Sequence, residues 1–218
     1  MSADDERLLE VLQRGQRRGF LGTGDLQAHL RHARAHCNAA NPTPGQRWCD
    51  LGSGGGVPGL VIALDLPEVK FVLLDRSQRR TEFLADSAHR LGIGGRIRVA
   101  CGDAADLAHR PEHRHVYDGV VSRAFGTPAT VAECASGLVR PGGRLVVSEP
   151  PSSDAPLQAS SSRDSERSRW PADPLAELGW DFDGHAGEGP TFAILTRRPS
   201  HQGIYPRTWK QIRKRPLF

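Results

Sequence analysis

Residues 47 to 60 read RWCDLGSGGGVPGL: a short apolar run, an aspartate, and then glycine at 52, 54, 55, 56 and 59. Glycine costs more chain entropy on folding than any other residue. Such a run is expected where something approaches the backbone too closely for side chains. Arg47 to Leu51 reads as a first strand and Pro58 to Leu64 as the helix after it. A strand, a glycine turn and a helix open the βαβ unit that holds nucleotide-like cofactors at the turn.

Two cofactor patterns overlap here. Gly54, Gly56 and Gly59 fit the dinucleotide spacing G-x-G-x-x-G, while Gly52, Gly54 and Gly56 after Asp50 fit the D-x-G-x-G-x-G of S-adenosylmethionine sites. Asp50 weighs between them. A carboxylate is repelled by a pyrophosphate but is favourable beside a methionyl ammonium or a sulfonium. The loop has no lysine, which excludes a P-loop. The methyl donor is therefore preferred, with Asp50, Gly52, Ser53, Gly54 and Gly56 as the cradle.

Outward from the cradle, strands and helices alternate. Lys70 to Leu74 is a β-type run ending at Asp75, an acid placed to accept two ribose hydroxyls. Arg79 to Leu91 has a helical apolar face, and Ile97 to Cys101 is a third strand. In the following CGDAADL, Asp103 is a candidate for an adenine amino group and Ala104 or Ala105 for a ring nitrogen. An N-cap is the competing reading of Asp103. Tyr117 to Ser122, Arg144 to Ser148 after the turn RPGG, and Thr191 to Thr196 complete the strands. Two helices, 4 to 14 and 25 to 40, come before the first strand. This order predicts an α/β fold, a mostly parallel sheet with helices on both faces and a short helical cap.

The chain has 218 residues, enough for one such domain. Its expected divisions are a cap over 1–45, the main domain over 46–200 and a tail over 201–218. Residues 151–170, rich in Ser, Pro and charge, read as a flexible loop. The net charge is +4, but seven cations and no acid lie from Arg197 onward, so basicity belongs to the tail. No apolar run is long enough to span a bilayer, and the charged N-terminus is unlike a signal peptide. A cytoplasmic, monomeric protein without metal is expected. Cys37, Cys49, Cys101 and Cys134 lack ligand spacing, and His29, His32 and His36 read as a solvated helix face.

With these pieces in place, the chain resembles the bacterial 16S ribosomal RNA guanine-N7 methyltransferases, also called glucose-inhibited division protein B. The matching stretches are DLGSGGGVPGL (50–60), LLDRSQRRTEFL (73–84), YDGVVSRAF (117–125), RPGGRL (140–145) and the ending YPRTWKQIRKRPL (205–217). The resemblance implies a Rossmann-like class I methyltransferase with a seven-stranded sheet. It implies S-adenosylmethionine held by the Gly52 backbone, Val57 and the Ala104–Ala105 pair. It also implies Arg123 in the active site and 16S ribosomal RNA, or the small subunit, as partner. Three departures stand out: Asp103-Ala104-Ala105 where the family commonly has Arg-Ala-Glu, Glu149 of SEPP near an expected phosphate-binding lysine, and RHARAHCNAA in place of the RH…DS helix. They keep open another RNA, a small-molecule substrate, or a non-catalytic binding role.

Methylating guanine N7, which carries an in-plane lone pair, needs placement and not a general base. Arg123 is the expected polar anchor of the substrate. Arg76, Arg79 and Arg80, with Arg207, Lys210, Lys214 and Arg215, are the expected phosphate-tracking cations; Tyr205, Trp209 and Phe218 among them could stack on bases. The competing reading is that these aromatics and prolines pin the tail to the domain.

Overall fold

The computed structural model describes residues 3–151, 169–199 and 204–218. The body is a seven-stranded sheet in the order β3-β2-β1-β4-β5-β7-β6. Its strands are β1 (Arg47–Leu51), β2 (Lys70–Asp75), β3 (Ile97–Cys101), β4 (Tyr117–Ser122), β5 (Val139–Ser148), β6 (Trp180–Ala186) and β7 (Phe192–Arg197). The first five are parallel, whereas β7 runs antiparallel to β5 and β6. Strand order reverses between β1 and β4, and a crevice opens at the carboxyl ends of the strands there, where doubly wound sheets bind ligands.

Alternation along the strands divides the core. Trp48, Phe71, Leu73, Val121 and Val146 enter one apolar cluster, with Leu8, Leu12, Leu30, Leu60 and Phe83 from the helices. Cys49, Leu51, Val72, Leu74, Val120, Leu145 and Val147 enter the other, with Val131, Leu138 and Trp180. Both faces of these strands are buried, as parallel sheets require. Helices α1 (Ala3–Arg17), α2 (Leu26–Ala40), α3 (Gly59–Asp65) and α4 (Gln78–Arg90) supply the first cluster. Helices α5 (Ala104–Leu107), α6 (Pro128–Ser136), α7 (Ala172–Glu177) and α8 (Trp209–Lys214) supply the second.

Three sequence expectations change. RPGG does not precede the fifth strand but lies within it: β4–β5 pairing jumps from Tyr117↔Val139 to Gly119↔Arg144, leaving 140–143 as an excursion with Gly142 at φ 72°. The seventh strand, β6, was not among the strands read from the sequence. The histidine face of α2 is not solvated, because α2 packs on β5 and β7; His36 is fully buried and His32 half-buried. Of the expected loop at 151–170, residues 152–168 lie outside the described residues.

Candidate active site

Two adjoining clefts occupy the carboxyl end of the sheet. The first, about 600 Å³, is lined by Gly52, Asp75, Arg76, Arg80, Asp103, Ala104 and Phe125 among others, with Trp209 on its wall. The second, about 1330 Å³, is lined by His32, Ser122, Arg123, Ser148, Glu149 and Pro190. Ala124 and Phe125 line both. Ala124 sits at φ 55°, a left-handed turn directly after β4 that carries the chain between the clefts.

Beneath the first cleft the glycines serve the protein itself as much as any ligand. A Cβ on Gly56 would lie 2.3 Å from Leu60, and one on Gly59 2.5 Å from Asp50 Oδ2 and from Leu73. Gly55 is overlain by Phe20 and Leu21 of the segment after α1. Among the glycines of this turn, only Gly52 lines the cleft; at φ 78°, its Cβ would strike Phe125 at 2.5 Å. Gly52 thus borders the cleft with Phe125 against it, above a turn in which Gly55, Gly56 and Gly59 pack internally. Gly54 contributes its amide, donating to Asp75 Oδ2 at 3.0 Å. Ser53 and Val57 are buried, and the Ser53 hydroxyl donates to the Asp50 carbonyl.

Asp50 is buried and is not among the residues that line the cleft. Its Oδ2 accepts the Gly59 amide at 2.9 Å, tying α3 to β1, while Oδ1 is buried without a partner. Burial pushes its carboxyl up to about 7, with the Gly59 bond opposing. Asp75 accepts the amides of Gly54 and Ser77 and lies 3.6 Å from Arg80. Asp103 lines the cleft and caps α5 through the Ala105 amide at 2.9 Å, the competing reading of this residue. Burial raises its carboxyl too. That cap uses the Ala105 amide, and Ala105 itself is buried, so Ala104 is the member of the pair at the cleft.

In the second cleft Arg123 is half-buried, and its Nη2 donates to His29 Nδ1 at 3.0 Å. Because a guanidinium only donates, the His29 proton is on Nε2, which faces the Gly22 carbonyl at 3.2 Å. Arg123 Nη1 is buried without an acceptor. Burial lowers the Arg123 guanidinium, with the Asp50 charge opposing. His32 pairs with Ser148 Oγ at 2.8 Å, and burial followed by the Arg123 charge brings it down to about 4. His36 is brought down to about 3, chiefly by burial, and contacts the Val146 carbonyl at 3.0 Å. His32 lines the cleft, His36 lies in the core and His29 holds Arg123, roles the helical spacing alone did not reveal.

Glu149 does not present a bare charge where a lysine was expected. It accepts from Arg169 at 2.8 Å and from the Trp170 indole, with His185 at 3.7 Å.

The tail is pinned as well as basic. Arg207 forms a two-pronged ion pair with the fully buried Glu133, at 2.8 and 2.7 Å, and its amide donates to the same carboxylate. Arg207 thus anchors the tail, and the pairing engages the guanidinium expected to meet phosphate. Tyr205 bonds Glu177, and Trp209 packs on Phe125 at 5.9 Å with Arg76 over its ring. Trp209 Nε1 is buried without a partner at the cleft. Sequence reasoning missed this role for Trp209, and no local signal marked it. Removing the tail would strip Trp209 from the cleft wall. Arg79, Lys210, Lys214 and Arg215 are exposed.

The family model described as GidB, rRNA small subunit methyltransferase G, matches residues 12–160, about two thirds of the chain. The chain belongs to this family. Among GidB relatives, a ribosomal RNA small subunit methyltransferase G from Lactobacillus delbrueckii subsp. bulgaricus is 30% identical over 181 residues, 79% of this chain and 70% of that protein. One of the same name from Deinococcus deserti is 40% identical over 110 residues, but these are 50% of this chain and only 45% of the relative. In fold, an O-methyltransferase family protein from Burkholderia thailandensis superposes with a TM-score of 0.55 at 18% identity, covering 81% of this chain and 59% of the other. The sheet is that of a class I methyltransferase. Among the described residues no helix is long and apolar enough to cross a membrane, and no His, Cys, Asp or Glu group could hold a metal.

Proposed function

We propose that this chain transfers a methyl group from S-adenosylmethionine to N7 of a guanine in 16S ribosomal RNA. The observation that carries the reading is the shared wall at Ala124 and Phe125, which sets a cleft lined by Gly52, Asp75 and Asp103 directly against a larger cavity walled by Arg123. The names of the GidB relatives support a ribosomal RNA substrate.

The residues present fit the cofactor. Gly52 borders the cleft with its backbone alone, Asp75 and Asp103 offer acceptors, and Trp209 Nε1 is a donor lacking an acceptor. These residues would hold the adenosine portion, and the bound cofactor would supply a methyl group on a sulfonium. Everything else falls to the chain. Arg123, oriented by His29, has the N–H donors of Nη1 left over. A donor on N7 itself would occupy the nucleophilic lone pair, so its useful targets are guanine O6 or a neighbouring phosphate. His32, held uncharged, and Ser148 share this wall with Glu149, whose carboxylate is engaged by Arg169 and Trp170; a nucleophile that carries no proton to remove needs no free base there. Excluding water and fixing the approach do the remaining work.

Label transfer from tritiated cofactor tests the reading, using naked 16S RNA, intact small subunits and a small-molecule panel in parallel. Label in either RNA sample supports it. Label only in small molecules, or in none despite cofactor binding, overturns it.

A further inference from the structure

A cationic groove lies at the opposite end of the sheet. Arg47, Lys70, Arg96 and Arg98 line it over a floor of Phe71 and Val72, and none of its lining residues is a carboxylate. Arg47 stands beside Lys70 in the β1–β2 ladder, and Arg98 stands beside Val72 in the β2–β3 ladder. No ion pair is recorded for any of the four among the described residues. Arg47 spends one N–H on the Glu112 carbonyl and stacks on Tyr117 at 4.9 Å. Arg96 donates to the Ala63 carbonyl at 2.7 Å. Lys70 and Arg98 are exposed.

Like charges side by side on neighbouring strands destabilise a sheet. A solvated guard against edge pairing explains Arg98, because β3 is an edge strand. It does not explain Arg47 and Lys70, which begin the interior strands β1 and β2. A polyanion would repay the crowding. We infer that this groove is an exosite for the phosphate backbone of the RNA substrate, a reading that rests on the proposed RNA activity. At about 3.3 Å per residue, five- and six-residue strands put it roughly 15–20 Å from the cofactor end. A phosphate held there belongs to RNA remote from the target base, so the exosite favours a large folded RNA over a short strand.

The test pairs Lys70→Gln/Arg98→Gln with full-length 16S RNA and with a short single-stranded oligonucleotide carrying the target guanine, measuring binding by fluorescence anisotropy and turnover by label transfer. Calorimetry with S-adenosylhomocysteine verifies the fold. The exosite predicts about tenfold or weaker binding of the long RNA and a log–log salt slope reduced by about one to two. It also predicts kcat on both RNAs, oligonucleotide affinity and cofactor affinity like wild type. Unchanged long-RNA affinity and slope would overturn it, as would an equal loss on the oligonucleotide. Wild-type protein that binds long RNA through this groove but labels none would sink the proposed activity and leave the exosite standing.

Discussion

Replacing Asp50 with asparagine isolates the cost of the carboxylate buried under the glycine turn. Asp50 is fully buried, and burial lifts it from 3.8 to about 7. The folded chain therefore keeps a proton that the unfolded chain releases between about pH 4 and 7. Stability is greatest below the lower value, falls through that window and levels off above it. At about 1.4 kcal/mol per pH unit the whole loss is about 4 kcal/mol. Asparagine keeps an acceptor for the Gly59 amide and does not titrate. Its amide group at the unpartnered Oδ1 position adds a penalty of about 1–3 kcal/mol, which is the same at every pH. The difference between variant and wild type should thus move in the variant's favour by about 2–3 kcal/mol from pH 5 to pH 8. Urea unfolding at four pH values across that range measures it. A difference flat to within about 0.5 kcal/mol would refute the reasoning, whatever its absolute size.

Gly52→Ala should leave the protein folded but weaken S-adenosylhomocysteine binding at least about tenfold by calorimetry, since the new methyl group meets Phe125 and the positive φ is strained. Arg123→Ala should lower kcat on RNA by about two to three orders of magnitude with cofactor affinity within about threefold of wild type; a change confined to cofactor affinity would contradict the assignment. Arg207→Ala leaves Glu133 buried and unpaired, so thermal unfolding should register a loss of about 3 kcal/mol or more. A variant unfolding like wild type would show that Arg207 is not the tail's anchor.

The sheet was readable wherever strands bury both faces: KFVLL and YDGVVS are continuous β-type runs whose alternate residues feed the two cores. Strand β6 is an edge strand with every second residue exposed. Its signal, Trp180 and Phe182 two apart, is faint among aspartates and glycine. Helix α6 is buried over most of its surface, so it shows no amphipathic period to detect. In the site, composition identified the glycine turn but not which neighbour excludes each side chain; that depends on Phe20, Leu60 and Phe125, distant or unremarkable in sequence. The spacing of His29, His32 and His36 gave one helical face and no indication of what it meets. Glu133, midway along an apolar helix, had no visible partner until the fold brought Arg207 across 74 positions.

The most direct test is mass-spectrometric mapping of modified guanines in 16S RNA from cells with and without this chain. The account predicts one N7-methylguanosine that disappears with the protein and returns on adding the purified chain with S-adenosylmethionine. An identical modification map in both strains would contradict it.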